Sequence, residues 1–253
     1  MSHTFNISTT VAIVVAATGI PVAKHGNRSV SSKSGSADVL EALGIKIDLQ
    51  PEKVEQCLFE TGFGFLFAPL FHPAMKYAIG PRSEMGIRTI FNILGPITNP
   101  AGAKRQILGV FSSHLTETLA KVLGNLGADD AMVVHGEDGL DEITITDSTR
   151  VSRFSKGKVE TQYLSPEDFG LKRSRREDLL GGDKEENAKI SLQILKGEKG
   201  PKRDIIMINS AAAITVAGMT DDFRIGLEMA KDAIDSGKAL RKLEEIKRVS
   251  HSL

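Results

Sequence analysis

Residues 24–36, KHGNRSVSSKSGS, concentrate groups that bind anions. Lys24, Arg28 and Lys33 bring positive charge, while Asn27 and Ser29, Ser31, Ser32, Ser34 and Ser36 bring hydrogen-bond donors. Gly26 and Gly35 carry no Cβ, so backbone N–H groups there approach a ligand closely. A helix expected directly after this stretch adds unpaired N–H groups and the positive end of its dipole. The combination suits a phosphate or pyrophosphate. The composition alone also fits a flexible Ser/Gly linker, and at this point both readings stand.

The second cluster is acidic. Asp141 and Glu142 close the stretch GEDGLDE that follows the apolar run at residues 131–135. In open α/β sheets ligands lie beyond the carboxyl ends of the strands. Adjacent carboxylates there hold Mg2+ through one or two contacts, with water and substrate phosphate completing the shell. Taken alone the pair reads as an acidic surface turn, and a phosphate loop nearby is what would favour the metal. His72, before Pro73 in an apolar region, reads as a structural histidine. Arg82 has the fork that clamps a carboxylate, though most arginines at such positions are surface charges. Cys57 lacks an adjacent cation and reads as an inert thiol. No nucleophile–base constellation and no Cys/His metal spacing appears in the sequence.

These groups need elements to position them. Asn6, Ser8 and Thr9 are N-cap types directly before the apolar run at residues 11–17, which predicts a buried helix starting at about Ser8. Helices are expected over 37–43, ended by Gly44, and over 51–60, followed by an apolar Gly/Phe segment at 61–71. Proline-bounded pieces at 72–82 and 83–94 lead to turn chemistry at 95–100. The pattern then alternates, with strands at 106–111 and 131–135 around an amphipathic helix at 115–126 closed by Gly127. Polar-alternating strands are expected at 142–146, 150–154 and 158–163. A charged, Gly-rich linker at 172–184 precedes four helices at 183–196, 203–217, 222–236 and 239–250.

Composition bounds the setting. The 253 residues suit one large domain or two small ones. Lys+Arg and Asp+Glu are both 32, a balance that argues against a nonspecific polyanion binder. Aromatics are 5% with no Trp, leaving little to stack on single-stranded nucleic acid. The apolar stretch at 11–23 is broken by Thr18, Gly19 and Pro21 and is too short for a bilayer. One cysteine permits no intramolecular disulfide, so a reducing compartment is expected. The expectation is a cytoplasmic globular protein without nucleic-acid or membrane partners.

Several longer strings then narrow the field. FNIST at 5–9, KHGNRS at 24–29, KSGSAD at 33–38, LEALG at 40–44 and HPAM at 72–75 occur in order. Arg82, GIRTIFNILGP at 86–96, Asn99-Pro100, Asp141-Glu142 and NSAAA at 209–213 follow. In these the chain resembles the anthranilate phosphoribosyltransferases of tryptophan biosynthesis, along essentially its whole length.

The resemblance implies an α/β fold: a large domain with a mixed, mainly parallel central sheet flanked by helices, plus the remnant of a small helical domain. It divides the chain into 1–62 and 98–253 of the α/β domain, with 63–97 as the small-domain remnant. It implies transfer of a phosphoribosyl group from phosphoribosyl pyrophosphate (PRPP) to the amine of anthranilate, releasing pyrophosphate. Thr4, Asn6, Ser8 and Thr9 match a PRPP-holding segment. Lys24, His25, Gly26, Asn27, Arg28, Ser29, Val30, Ser31 and Ser32, with Ser36, match the loop that wraps the ribose phosphates. Asn27 and Arg82 match anthranilate contacts, with His25 and His72 lining that pocket and residues 95–100 forming a wall. Ser8, Asp141 and Glu142 match Mg2+ ligands, and the resemblance implies no catalytic base. It also implies a homodimer for the full-length family member. Family members carry a glycine-rich GTGGD segment and helices ahead of the part matching Asn6, which these residues do not contain. The expectation is therefore a missing N-terminal part and impaired activity. A noncatalytic binding protein on this scaffold and a nucleoside phosphorylase-like enzyme are the alternatives.

Overall fold

Helix α1 (Ile7–Ala17) is apolar almost all round, and nine of its eleven residues are buried. A helix of that kind belongs inside a protein. It lies at the centre of a helical layer, packed against α7 (Pro201–Val216), α8 (Phe223–Asp235) and α9 (Lys238–Ser252). The computed structural model describes residues 4–29, 33–75, 77, 94–95 and 97–253.

Beyond α1 the chain enters β1 (Val22–Gly26), then α2 (Ser36–Ala42) and α3 (Pro51–Thr61). Strand β2 (Phe63–Phe67) returns parallel to β1, with Lys24 opposite Phe65 and Gly26 opposite Phe67. A short helix, α4 (Ala68–Phe71), follows. The residues that sequence reading left as an apolar Gly/Phe segment thus complete a two-stranded sheet with the start of the phosphate-type loop.

The second sheet has the order β3-β4-β5-β6. Strands β3 (Arg105–Gly109) and β4 (Asp130–Gly136) are parallel and joined through α5 (Leu115–Asn125), the crossover that parallel strands need. Gly127, at φ +89°, stops α5. Strands β5 (Thr149–Ser155) and β6 (Lys158–Leu164) add antiparallel pairs. The expectation of an α/β fold with mixed sheets flanked by helices holds; parallel and antiparallel pairings are two each among the described residues. Strand β4 is buried along its whole length, as its unbroken apolar run requires. At its start the buried Asp130 pairs with Arg153 through two bonds of 2.9 and 2.7 Å.

Two expectations are corrected. Residues 142–146 form no strand. Ile143 and Ile145 are buried and alternate with Thr144 and Thr146, which produces the two-residue period of a strand. The threonine hydroxyls instead donate to the Asp138 carboxylate, and the Thr144 N–H donates to Thr149 Oγ1 at 2.9 Å. Side chains do here what a ladder would do. Residues 172–184 are likewise no loose linker: they contain the 3-10 turn Arg176–Leu179, Leu179 is fully buried, and Leu180 bridges to Thr4. Helix α6 (Lys184–Leu195) then starts on the Asp183 cap, whose carboxylate accepts from the Glu186 N–H.

Candidate active site

The N-terminus of α1, the end of β1 and the turn after β4 meet at one place. Asn6 precedes α1 without capping it. Its side chain instead donates to the Ser34 carbonyl at 3.4 Å and accepts from Asn187 Nδ2 at 2.9 Å. That leaves first-turn amides of α1 for other partners, and the Ser8 N–H donates to the Glu142 carboxylate. The Ser8 side chain is exposed and accepts from Lys24 Nζ at 3.3 Å.

Charge in this corner is undercompensated. Burial, then the neighbouring Asp141, pushes the half-buried Glu142 carboxyl up to about 8, against the pull of Lys24 and the Ser8 amide. Burial also lowers the Lys24 ammonium, with Glu142 opposing. For both groups desolvation outweighs the partner. A hard cation facing Glu142, Asp141 and the Ser8 hydroxyl would supply the missing charge through oxygen donors alone. That donor set fits Mg2+, which takes few protein ligands and keeps its waters. Among the described residues no cluster of three or more His, Cys, Asp or Glu offers another site.

The loop after β1 is folded on itself. Arg28 forms a two-pronged pair with Glu41 at 2.9 Å, bonds Asp38 at 3.1 Å, and lies 5.9 Å from the Phe67 ring centroid. Asp38 also accepts from the Ser29 N–H at 3.0 Å and the Gly35 N–H at 2.8 Å. Burial works to raise the Asp38 carboxyl, yet these amides and Arg28 together hold it below the usual carboxylate range. A methyl on Gly35 would lie 2.6 Å from the Arg28 carbonyl carbon, so only glycine lets the two ends of the loop touch. The flexible-linker reading therefore does not describe residues 24–29 and 33–36. Arg28, expected among the loop cations, is held by two carboxylates on α2. Val30, Ser31 and Ser32 lie outside the described residues.

His25 and His72 come together edge to face, with ring centroids 5.0 Å apart. Asn27 follows two residues on, and Asn99 Nδ2 ties the 95–100 turn to the Ala23 carbonyl at 3.0 Å. Burial first, then His72, lowers the His25 imidazole, while a bond to the Gly95 carbonyl works upward. Its folded state thus favours the neutral ring. The sign is that native stability falls once pH drops below the unfolded histidine value, near 6.5, because the unfolded chain takes the proton first. Urea unfolding at pH 7.5 and 5.5 is expected to show a smaller loss for His25→Asn than for the parent, by at most about 1.4 kcal/mol. Equal losses would remove His25 from the account. Arg82 and the segment at 78–93 lie outside the described residues.

Sequence reading missed Asn187. It is 2% exposed, and besides Asn6 it bonds both polar backbone atoms of Gly182, accepting from the N–H and donating to the carbonyl. It joins α6 to the α1 N-terminus. The available signal was an asparagine within a helix, where its competition for backbone bonds is costly unless the side chain is engaged. Thr9 is buried, and its hydroxyl has no hydrogen-bond partner among the described residues. Thr4 sits at the bridge to Leu180, and Ser36 donates to the Asn27 carbonyl at 3.4 Å.

This arrangement can be set beside known proteins. Residues 1–240 match the model of the "Glycosyl transferase family, a/b domain". The anthranilate phosphoribosyltransferase of Acetivibrio thermocellus is 58% identical over 99% of the chain and 73% of its own length. The chain belongs to the anthranilate phosphoribosyltransferase family. The family member from Desulfosudis oleivorans is 60% identical over 97% of the chain and 73% of its own length. Among solved structures, the enzyme of Thermus thermophilus superposes with a TM-score of 0.92 at 46% identity, covering 98% of this chain and 74% of that one. The Saccharomyces cerevisiae enzyme, solved with PRPP and Mg, gives 0.91 at 31% identity over 100% of this chain and 71% of that one. This phosphoribosyltransferase-family chain thus shares its fold with a protein crystallised on those ligands. Among its described residues no helix is long and apolar enough to cross a membrane.

Proposed function

We propose that this chain transfers the phosphoribosyl group of PRPP to the amine of anthranilate and releases pyrophosphate, with the impaired activity expected above. The observation that carries the reading is the convergence of Ser8, Lys24 and Glu142 at the α1 N-terminus. In the reaction the ribose C1–O bond to pyrophosphate breaks, a C1–N bond to the amine forms, and the amine releases one proton. Negative charge grows on the leaving group, and donors aimed at that charge lower the barrier more than they help the ground state. Ser8, Asp141 and Glu142 would hold Mg2+, which supplies charge neutralisation at the pyrophosphate. Lys24 and the amides at the start of α1 face the same charge, with Thr4, Asn6 and Thr9 beside them. Gly26, Asn27, Ser29 and Ser36 would meet the ribose phosphates in this reading, as would Val30, Ser31 and Ser32, and Arg28 fixes the described part of the loop through α2.

The amine of anthranilate is neutral at pH 7 and nucleophilic already, so holding it in place suffices. His25, His72 and Asn27 form that pocket in our reading, with the neutral His25 imidazole against an aromatic ring. Arg82 clamps the anthranilate carboxylate, and Arg82→Ala is expected to raise the KM for anthranilate far more than that for PRPP. Equal changes in both constants would count against the clamp.

We further propose the division at 1–62, 63–97 and 98–253, with the pairing of β2 to β1 favouring a first boundary nearer Phe67. A cytoplasmic, homodimeric enzyme without nucleic-acid or membrane partners completes the reading; the lone, buried Cys57, its thiol pushed up by burial, suits a reducing compartment. The test is calorimetry of PRPP binding with and without Mg2+, followed by pyrophosphate release on adding anthranilate. Binding that needs Mg2+ and release that needs anthranilate are expected. No Mg2+-dependent binding at millimolar PRPP would overturn the proposal.

A further inference from the structure

The acid pair sits in a turn that no strand ladder holds, yet its backbone is fixed on both sides. On one side lies Gly109, the last residue of β3. A methyl group there would overlap the Asp141 carbonyl and come within 3.2 Å of Asp141 Cβ, so the turn rests directly on the glycine backbone. The requirement is for space, since Gly109 is not among the glycines with positive φ.

On the other side lies Asn209, at mid-length of α7 and 4% exposed. Its Oδ1 accepts from the Ile143 N–H at 2.9 Å, and its Nδ2 donates to the Ile143 carbonyl at 2.8 Å. The second amide proton goes to the Ile205 carbonyl at 2.8 Å, one turn back along the helix. One side-chain amide therefore pairs both polar backbone groups of Ile143, as a neighbouring strand would. Buried backbone groups need such partners, and an alanine at 209 would leave both orphaned in an apolar surrounding. Every hydrogen-bonding atom of the Asn209 side chain is committed, so its orientation is unambiguous.

Glu142 is the residue between these two contacts. We propose that Asn209 and Gly109 are positioning residues for the acid pair, setting the Glu142 carboxylate against Ser8 and Lys24 without touching substrate. The inference rests on the metal role given to Glu142 above. Groups behind a metal ligand change affinity by about 10–100-fold when lost, and the same scale is expected here.

The test uses Mn2+ as the probe, its binding in the presence of PRPP read by electron paramagnetic resonance, together with hydrogen exchange. Asn209→Ala is expected to speed exchange across residues 140–146 while the rest of α7 stays protected, and to weaken Mn2+ binding at least tenfold. Asn209→Asp, which keeps the size and the acceptor but turns the donor into a second acceptor facing the Ile143 carbonyl, is expected to weaken it similarly. Gly109→Ala should do the same from the opposite side, and carries the test if the Asn209 variants do not fold. Ser152→Ala is the control: it removes a buried β5 hydroxyl that bonds Thr116 of α5 and Thr161 of β6 and contacts none of the groups named here, and it should leave Mn2+ affinity unchanged. Unchanged exchange at 140–146, unchanged Mn2+ affinity in the folded variants, or an equal loss in Ser152→Ala would each overturn the inference. Glu142→Ala separates the two layers. If it too leaves Mn2+ binding intact, the metal reading is what has failed, and the exchange data still decide whether Asn209 holds the turn.

Discussion

Glu142→Ala should abolish Mg2+-dependent turnover of PRPP, with a loss of about 100- to 1000-fold. The estimate follows from losing the cation that Glu142 would hold against the developing pyrophosphate charge, since losing one group that stabilises such charge costs about 3–4 kcal/mol in comparable sites. Three features make Glu142 the point of greatest effect. It is the half-buried carboxylate of the acid pair, and Asp141 beside it is exposed. It accepts the Ser8 N–H, so it is held to the first turn of α1. Burial resists its ionisation, so a bound cation gains most from this group. Glu142→Gln separates charge from shape, because the amide oxygen still accepts from Ser8. Equal losses in the Ala and Gln variants are expected when turnover is titrated with Mg2+. A Gln variant with normal metal dependence would show that shape alone matters and would remove the metal assignment.

Much of the frame was legible from local chemistry. Asn6, Ser8 and Thr9 ahead of an apolar run marked α1 to within a residue, since N-cap types and burial pattern agreed. Gly44 and Gly127 marked helix ends because both adopt the left-handed conformation that glycine favours. The unbroken apolar run of β4 was legible because both of its faces are covered. Where the reading failed, side chains had taken the place of a strand ladder. Residues 142–146 carry a strand's alternation, but their partners are the nearby side chains of Asp138 and Thr149 and, from a distant helix, Asn209.

The site divided in the same way. Lys24 and the acid pair stood out as candidates for phosphate and metal chemistry because charge and glycine content are local properties. That Arg28 is held by Asp38 and Glu41 was not readable, since it depends on α2 folding back along the loop. Asn187 and Asn209 were invisible for a related reason: each acts on backbone atoms rather than on a ligand. Their one local trace is an amide on the buried side of a helix, and that trace names no partner.

Lys24→Met should weaken PRPP binding by about 10- to 150-fold, matching the 1.5–3 kcal/mol of a hydrogen bond to a charged group. Methionine keeps most of the stem volume and removes the ammonium. The competing account makes Lys24 only a counter-charge for Glu142, whose proton affinity it lowers. A double-mutant cycle distinguishes the two, because it isolates the coupling between the residues. If Lys24 serves only Glu142, adding Lys24→Met to Glu142→Gln costs nothing further in PRPP affinity. If the ammonium meets phosphate directly, the second substitution keeps most of its own effect. The geometry favours the direct contact: Nζ reaches the exposed Ser8 hydroxyl at 3.3 Å, and its attraction to Glu142 does not outweigh its burial. Lys24→Arg should not restore affinity, since a planar fork cannot occupy the place of a compact ammonium beside the first turn of α1. A double variant no weaker than Glu142→Gln would return Lys24 to a purely internal role, and restoration by arginine would show that a positive charge, not the compact ammonium, is what the site needs.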